Sequence, residues 1–498
     1  MPRRFYTIRA ESIQENNLPN LTGWGTLYPG IFGPAVAGCS LSLLLNKWRE
    51  KIMSLRYSTD GMLRPHAFFD PLWFQIAKEM VYDKAPVFVG HVSMVPELGY
   101  ARACDPERKF ILTRDKEGKI RCFDGRCRHR LAMLMHPEAT PKYSSPEKLG
   151  PVESLKVDLE HKCAGSITCP IHQWTYELDG TLRGAPKFDI EALPEGRRKL
   201  REVPIRIWNG LLFTNVKEGE KLPWEDEVLE YPHHTQLDLT SFSFGGSSVT
   251  EYGCSALVFD DVYFDDRHVL IGHKTTFGAV MDLEKLFLHK AKAFNVQEVG
   301  FLMRPRVKLS PEYQAWHSWL MRLLDGKEPQ FGALWTYFYP KFMIEVYPFT
   351  TVVSIMEPLA ADKSANRCYF FYPKNIRDII RTMLEREMGR DVTADEVEAA
   401  FAEFTFAQQA AYGRTAAEDE DFVMRIARGL QIAHQSGEDV TGLPHPIEEA
   451  GSLEYGKFFS DVEVEYQRRV AERKRAMHGE MRHVPVGHPA NLKLESLR

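Results

Sequence analysis

Short runs with apolar residues at every second position fill the chain from about residue 64 to residue 215. The runs 85–92, 109–113 and 211–216 are examples, and glycine, proline and aspartate residues separate them. This period of two is typical of strands that are half-buried in antiparallel sheets. The pattern therefore predicts an all-β domain in this part of the chain.

The remainder of the chain mixes helical and extended patterns. Periodicity predicts a helix over about 256–271, strands over 334–372 and further helices from Ile376 onward. Thr393 and Thr415 each precede a glutamate by three positions, which is the spacing of a capping box, so each predicts a helix start. These patterns indicate an α+β domain in which helices flank an antiparallel sheet.

The length of the chain favours two domains. It has 498 residues, and a single hydrophobic core seldom extends beyond roughly 250–300 residues. The stretch 217–240 is predicted to be a linker between the two domains. We therefore predict an N-terminal extension over 1–56, an all-β domain over 57–225 and an α+β domain over 226–498.

The composition excludes several classes of protein. Apolar residues make up 44% of the chain, so it is neither disordered nor collagen-like, and the net charge of −5 offers no basic field for nucleic acid. Eight cysteines are too few for a disulfide framework. An uncharged stretch over 17–45 has a compact apolar run only over 36–45, which is too short for a bilayer core of about 30 Å. Because no signal-peptide pattern occurs either, the sequence predicts a cytoplasmic protein.

Four residues of metal-binding type form the sharpest motif. Cys127 and His129 form a C-x-H pair, and Cys169 and His172 form a C-x-x-H pair. Two thiolates for one iron and two imidazoles for the other are the ligands that a Rieske [2Fe–2S] cluster requires. A structural zinc site is the alternative, although C-x-H is an unusual half-site for zinc.

The residues around these pairs resemble a known family. With Trp174 and the turn at Gly180 after the second pair, residues 64–216 resemble the Rieske domain of the Rieske non-heme iron oxygenases. Respiratory Rieske proteins carry an extra cysteine in each loop, whereas this chain has Ala132 and Ile171 at the matching positions. The resemblance therefore favours the oxygenase type of Rieske domain.

One departure from the family lies between the two pairs. His129 and Cys169 are separated by 39 residues, which is more than is usual in the family. Residues 137–160 contain four prolines and many charges, so they read as an inserted surface loop that leaves the four ligands in place.

A second polar group lies in the predicted helix of the α+β domain. Asp261, Asp265 and His268 are spaced by four and three residues, so they share one face of a continuous helix. Gly272 can end that helix and let His273 turn toward the same metal. The segment resembles the D-x-x-H-x-x-x-x-H element of the same family, whose histidines bind a mononuclear Fe(II). A chance pair of histidines on a solvated helix is the alternative.

A 2-His-1-carboxylate iron site also needs an acidic ligand. The candidates are Glu418, Asp419, Glu420 and Asp421. A predicted buried stripe at helical spacing comprises Phe422, Val423, Ile426, Ala427 and Leu430. Asp419 falls on this stripe, Asp421 lies opposite, and the two glutamates point sideways. We therefore predict Asp419 as the third ligand, and the family resemblance supports that choice.

The resemblance covers about residues 64–470 and implies the terminal oxygenase of a Rieske system, which hydroxylates or oxidatively dealkylates a small organic substrate. It implies a [2Fe–2S] cluster and a mononuclear Fe(II) as cofactors, with electrons from a separate ferredoxin or NAD(P)H-dependent reductase. It also implies a homotrimer in which Asp265 bridges to His172 of a neighbouring subunit, on the path of the electrons. The chain departs from the family at Asp261, where Asn is frequent, and at Arg267, where Tyr is frequent.

Two other functions stay open from the sequence. A Rieske electron-transfer protein would perform no chemistry of its own, and an oxygenase-like scaffold would carry a degenerate iron site. Iron content separates them, because an intact oxygenase holds about three irons per chain and a protein with the cluster alone holds two.

The sequence also predicts which surfaces two further segments form. The aromatic-rich strands over 334–339 and 342–349 are predicted to line the catalytic pocket, although most of their aromatic residues serve the core first. The basic stretch 467–482 is predicted to form a solvated helix face, with a docking surface for a ferredoxin as the alternative.

Overall fold

The computed structural model describes residues 62–135, 161–438 and 450–481. The predicted extension 1–56 and the predicted insertion 137–160 lie outside the described residues. The strands are β1 Val87–His91, β2 Gly99–Arg102, β3 Phe110–Arg114, β4 Ile120–Asp124, β5 His161–Lys162, β6 Ser166–Thr168, β7 Thr175–Glu177, β8 Leu182–Gly184, β9 Glu202–Val203, β10 Arg206–Trp208, β11 Leu211–Thr214, β12 Phe242–Tyr252, β13 Met281–Lys290, β14 Phe294–Phe301, β15 Ala333–Phe338, β16 Phe342–Tyr347, β17 Thr350–Ala360 and β18 Lys363–Pro373.

The helices complete the set of elements. The α-helices are α1 Pro71–Ala77, α2 Ala256–Tyr263, α3 Asp266–Gly272, α4 Phe277–Val280, α5 Pro311–Leu324, α6 Ile376–Met388, α7 Ala394–Gln435, α8 Ala450–Phe458 and α9 Ser460–Met481. The short helices of other types are Pro65–Phe68, Lys78–Tyr82, Val92–Met94, Glu195–Arg197, Glu227–Glu230 and His234–Leu237. None of the described helices is long and apolar enough to cross a membrane.

Three small antiparallel sheets form the first domain. Their strand orders are β1–β11–β10, β5–β2–β3–β4–β9 and β6–β7–β8. One buried cluster of this domain contains Phe123, Trp174 and Tyr176, and it also contains Cys127 and Cys169. The predicted all-β fold is confirmed, and both cysteines of the motif lie in its core.

A seven-stranded antiparallel sheet dominates the second domain. Its strand order is β12–β18–β17–β16–β15–β14–β13. The strands β15 to β18 confirm the extended segments predicted over 334–372, and α7 packs against α5 and α6. The α+β class is therefore confirmed. The boundary predicted at residues 225 and 226 stays a prediction.

The segment just before the first sheet is helical, whereas the sequence pattern predicted strands from about residue 64. Asp70 caps α1 by accepting a hydrogen bond from the Leu72 amide at 2.8 Å, and Pro71 occupies the first helical position. Trp73 is buried and packs against Phe459, with 5.6 Å between ring centroids. A capped start and an apolar face therefore outweigh the weak alternation here.

The helix predicted over 256–271 is two helices. α2 ends at Tyr263 and α3 begins at Asp266, with the buried Phe264 between them. The Asp265 carboxylate accepts a hydrogen bond from the His268 amide at 3.3 Å and so caps α3. The prediction that Asp261, Asp265 and His268 share one face of a continuous helix is therefore wrong.

Two other expectations need correction. The capping box at Thr393 is confirmed, but Thr415 lies inside the 42-residue helix α7, where its hydroxyl donates to the Ala411 carbonyl at 3.4 Å. That bond to the carbonyl four residues earlier is one a threonine makes inside a helix. The predicted linker 217–240 is packed, because its side chains Trp224 and Tyr231 are buried in a core cluster with strands of the large sheet.

Candidate metal centres

The two cysteine–histidine pairs lie on loops with the same backbone hydrogen bonds. The amide of Cys127 and that of Cys169 each donate to the carbonyl five residues later, at 2.8 Å in both loops. The carbonyl of each cysteine accepts from the amide four residues later, at 3.0 Å in both. That fourth residue is left-handed in each loop, with φ of 62° at Leu131 and 60° at Gln173. The two loops therefore have the same backbone conformation at these positions.

The two predicted histidine ligands lie side by side between these loops, and the thiols of Cys127 and Cys169 are close enough to interact. The rings of His129 and His172 lie 4.6 Å apart at 80°, and His129 stacks on Trp174 at 4.9 Å. The Nδ1 atom of His129 is buried and has no hydrogen-bond partner among the described residues. A buried ring nitrogen without a partner is uncommon unless a ligand or metal takes that place. Two imidazoles and two core thiols therefore fit a [2Fe–2S] cluster.

Tyr176 binds one of the thiols. Its hydroxyl accepts a hydrogen bond from the Arg128 amide at 2.9 Å, so its own proton is available for the Cys127 sulfur, 3.3 Å away. Burial raises the pKa of the Cys127 thiol, and the bond from Tyr176 acts in the opposite direction. Metal coordination replaces the thiol proton in any thiolate site.

His268, His273 and Asp419 lie together, with their candidate ligand atoms within 4.8 Å of one another. The Nε2 atoms of His268 and His273 are 3.5 Å and 3.0 Å from Asp419 Oδ1. His268 belongs to α3, His273 follows its last residue, Gly272, and Asp419 lies in α7. The end of α3 thus brings the second histidine beside the first, as the sequence predicted.

Two contacts orient the imidazoles. His273 Nδ1 donates to Glu418 Oε2 at 2.8 Å, and the Thr276 hydroxyl donates to the same oxygen. His268 Nδ1 donates to the carbonyl of Asp265. Both Nε2 atoms are thereby left for a metal, which is the usual arrangement of histidine ligands. The sequence reasoning missed Glu418, which it described as pointing sideways; its position directly before Asp419 was the available signal.

The charges of this group favour a cation. Burial alone would lower the pKa of His273, but the neighbouring Asp419 carboxylate raises it to about 9. Burial would raise the pKa of Asp419, but the two histidines hold it well below its usual range. A proton on the His273 imidazole thus occupies a place that a divalent metal takes when it binds. The donor set of two imidazoles and a carboxylate fits a mononuclear iron.

The structure places Asp419 on the helix face that the sequence predicted for the acidic ligand. Asp419 faces the histidines, whereas the Asp421 side chain is 58% exposed and pairs with Arg425 at 2.7 Å. Val423 is fully buried, as predicted, but Ile426 is 39% exposed. The buried stripe is therefore narrower than the sequence predicted.

A cavity borders His268, His273 and Asp419, which form the predicted iron-binding group, and includes Asp265 in its wall. Trp335 and Tyr347 line it, which confirms in part the predicted role of the aromatic strands. Leu334 and Phe338, which alternate with these residues, belong to a core cluster instead. The side chains of Asp265 and His172 are both accessible to solvent in the single chain, as a contact with another subunit requires. The contact itself stays a prediction.

Two family models match separate segments of the chain. A Rieske [2Fe-2S] domain matches residues 85–194, and the catalytic domain of the ring hydroxylating alpha subunit matches residues 258–479. The first segment contains all four residues of the cysteine–histidine motif. The second contains both histidines and the acidic residue of the iron-binding group.

Curated relatives extend over most of the chain. The putrescine 2-hydroxylase of Ralstonia nicotianae is 28% identical over 394 residues, which are 78% of this chain and 93% of that protein. The putrescine 2-hydroxylase of Bordetella bronchiseptica is 29% identical over 397 residues, which are 80% of this chain and 83% of that protein.

Solved structures share the fold at low sequence identity. A quaternary ammonium Rieske monooxygenase in complex with L-carnitine has a TM-score of 0.53 and 17% identity, over 80% of this chain and 95% of that one. The naphthalene 1,2-dioxygenase from Rhodococcus sp. has a TM-score of 0.53 and 16% identity, over 85% of this chain and 98% of that one. At these identities, the likeness shows the fold alone.

Proposed function

Because the chain belongs to the Rieske non-heme iron oxygenases, as an α subunit with a Rieske cluster and a mononuclear iron, we propose that it hydroxylates or oxidatively dealkylates a small organic substrate. The observation that carries the proposal is the complete donor set at both centres: two cysteines with two histidines, and His268 and His273 with Asp419. A complete iron site argues against a Rieske electron carrier and against a degenerate scaffold.

We assign the cluster to Cys127, His129, Cys169 and His172. When bound, the cluster supplies electrons one at a time, and the iron activates O₂ next to the substrate. The protein contributes orientation and exclusion of water. Trp174 holds the His129 ring by stacking, and the buried setting of both cysteines keeps solvent from the sulfur atoms.

We assign the mononuclear iron to His268, His273 and Asp419. With these three residues as its ligands, a bound iron would keep places free for O₂ and for a water molecule or the substrate. Glu418 keeps the proton on His273 Nδ1, so Nε2 stays available for the metal. The carbonyl of Asp265 has the same effect on His268.

The electrons come from a separate ferredoxin or NAD(P)H-dependent reductase in this proposal. Asp265 lies at the helix junction, with its side chain 36% exposed, where it can contact another subunit. The proposed path leads from His172 of one subunit through Asp265 of its neighbour in a homotrimer. We place the system in the cytoplasm.

An aliphatic nitrogen compound is the proposed class of substrate. Two relatives that cover about four fifths of the chain are putrescine 2-hydroxylases, and putrescine is a linear diamine. Matches of this length must include a large part of the catalytic domain, so a related substrate fits the likeness better than an unrelated aromatic hydrocarbon does.

The test combines metal analysis with isotope labelling. Purified holoenzyme should contain about three irons per chain, and reduction should give the electron paramagnetic resonance signal of a histidine-ligated [2Fe–2S] cluster. With a ferredoxin, a reductase, ¹⁸O₂ and a panel of amines and hydrocarbons, one product should contain ¹⁸O. Full iron loading without labelled product from any compound would count against the oxygenase function.

A further inference from the structure

A buried carboxyl group, that of Glu345, lies in the wall of the cavity beside the iron-binding group. Glu345 belongs to β16 and is only 4% exposed. Ser354 donates to its Oε1 at 2.6 Å and Tyr347 to its Oε2 at 2.8 Å, and Tyr412 donates to Oε1 at 3.0 Å. These three hydroxyls fix the carboxyl group in one orientation.

The described residues supply Glu345 with hydroxyls but with no ion pair to a lysine or an arginine. A carboxylate has about four acceptor positions, and three donors leave one of them open. A buried carboxylate without a cation is costly. Burial raises the pKa of Glu345, and the negative charge of Asp419 raises it further, in agreement with a missing positive partner.

The rest of the cavity wall has the same charge character. It includes the carboxyl groups of Asp265, Asp419 and Glu420, and the lining drawn from the described residues contains no lysine or arginine. With the carboxyl groups of Asp265, Glu345, Asp419 and Glu420 ionised, a bound Fe(II) would offset two of the four negative charges and leave two. The field inside the cavity therefore favours a cationic ligand over a neutral or anionic one.

Two polar atoms elsewhere in the wall have no hydrogen-bond partner in the part of the chain that the structure describes. The Tyr252 side chain is 1% exposed and that of Asn366 is 6% exposed, and neither the Tyr252 hydroxyl nor Asn366 Oδ1 has a hydrogen-bond partner in the structure. Both residues line the cavity. Buried polar groups are normally satisfied, and Asn366 Oδ1 can only accept. A ligand that donates a hydrogen bond would satisfy Asn366 Oδ1, which a hydrocarbon cannot do.

Aromatic rings stand next to the carboxyl group. Phe277 stacks on Tyr347 with 5.6 Å between centroids, and its ring lies 5.9 Å from that of Trp335. Faces of aromatic rings attract ammonium groups, most strongly where water is excluded. A carboxylate held by hydroxyls and bordered by aromatic rings is a suitable environment for an organic ammonium ion.

We propose that Glu345 binds the ammonium group of an aliphatic primary or secondary amine and thereby determines the substrate class of the enzyme. The inference rests on the proposed function and adds the residue that recognises the substrate. Tyr412 carries the contact to α7, where Asp419 follows seven residues later. Two helical turns, about 10.5 Å along the axis, thus separate the hydroxyl that holds Glu345 from the iron ligand.

Calorimetry on the holoenzyme tests the proposal in the absence of electron donor, so that no turnover occurs. The probes are α,ω-diamines of three to eight carbons and the diols of the same lengths. Wild-type enzyme should bind at least one diamine tenfold more tightly than its diol. Glu345→Gln should weaken the binding of that diamine at least tenfold and change the binding of the diol by less than twofold.

Glu298→Gln is the matched control, because Glu298 is also buried in the large sheet and accepts bonds from Tyr231 and His233, but does not line the cavity. It should leave diamine binding within twofold of the wild type. Equal affinity of wild type and Glu345→Gln for the diamine would overturn the proposal, as would equal affinity of the wild type for diamine and diol. The second comparison uses only the wild type and so stands even if the variant fails to fold.

Labelled oxygen keeps the two proposals apart. If the wild type incorporates ¹⁸O into a hydrocarbon or a diol while no diamine binds, Glu345 does not select amines, but the enzyme is still an oxygenase. If a diamine binds through Glu345 and no compound acquires ¹⁸O, the subsite stands and the proposed oxygenase function fails.

Discussion

The two predicted metal-binding groups of this chain are built in opposite ways. The cysteine–histidine cradle consists of two loops that close on their own backbone, and each of its pairs lies within four consecutive residues. The iron-binding group joins the end of α3 to the middle of α7, and the contact from His273 to Glu418 spans 145 residues. Local chain geometry makes the first site, whereas packing of distant helices makes the second. Variants should therefore separate the two centres cleanly.

The largest effect is expected from Asp419→Ala. It removes the only ligand that α7 contributes to the proposed iron site, so one iron per chain should be lost and product formation should stop. The cradle shares no residue with this site, and its visible and electron paramagnetic resonance spectra should be unchanged. Metal analysis and spectroscopy on the same sample measure both.

Asp421→Ala is the matched control for that experiment, because the Asp421 carboxyl group points to solvent and pairs with Arg425. It should retain full iron content. Loss of iron from Asp421→Ala with retention in Asp419→Ala would show that the assignment of the helix face is wrong.

Asp265→Asn tests whether the two centres communicate. Asparagine caps a helix as well as aspartate does, so α3 and both metals should be retained. The change removes the charge proposed to bridge to His172 of a neighbouring subunit, and turnover should fall about 100-fold. Rapid mixing of reduced enzyme with O₂ and substrate should show slow reoxidation of the cluster.

Asp421→Asn serves as the comparison for a lost surface charge and should turn over normally. A fully active Asp265→Asn enzyme would mean that electrons reach the iron by another route and that Asp265 only caps α3.

Glu418→Gln should have a smaller effect, confined to the iron site. The substitution weakens the bond that fixes the tautomer of His273, so iron affinity should fall about tenfold. Competition with a chelator measures this affinity, and the absorbance of the cluster serves as the internal reference. Unchanged iron affinity would show that Thr276 and the packing of the ring are sufficient to orient His273.

Tyr176→Phe should have the smallest effect, confined to the cradle. It removes the hydrogen bond to the Cys127 sulfur, and bonds to the sulfurs raise the reduction potential of such clusters. A bond of about 1 kcal/mol corresponds to a decrease of about 40 mV for a one-electron couple. Tyr231→Phe removes a buried hydroxyl in a different core cluster from that of the cradle, so it should leave the potential unchanged in redox titrations.

The difference between the two sites also explains which of their residues could be predicted from the sequence. The cradle was predictable because the spacing within each pair is a property of one turn, and the long separation of the pairs did not disturb it. For the predicted iron site, the sequence proposed His268, His273 and Asp419, with the acid chosen among four by helix periodicity, and the structure brings these three side chains together. It did not identify Glu418, because the role of that residue depends on where His273 lies.

The errors along the chain have physical causes of the same kind. The helix over 256–271 reads as continuous because Phe264 and Asp265 are compatible with a helix; the break follows from burial of Phe264 and from the cap that Asp265 provides. Thr415 has the sequence of a helix start, but the helix beginning at Thr393 runs through it. The local sequence pattern limits the conformations that a segment can adopt, and packing against the rest of the fold determines which of them occurs.

The length of α7 has a consequence for how this enzyme can change during evolution. One uninterrupted helix carries both Tyr412, which holds Glu345, and Asp419, which faces the two histidines. Inserting or deleting a single residue between them would rotate one against the other by about 100° and shift it by about 1.5 Å, so that one of the two contacts is lost. Substrates of a different size are therefore accessible through exchanges of side chains in the cavity wall, while the spacing along this helix has to stay constant.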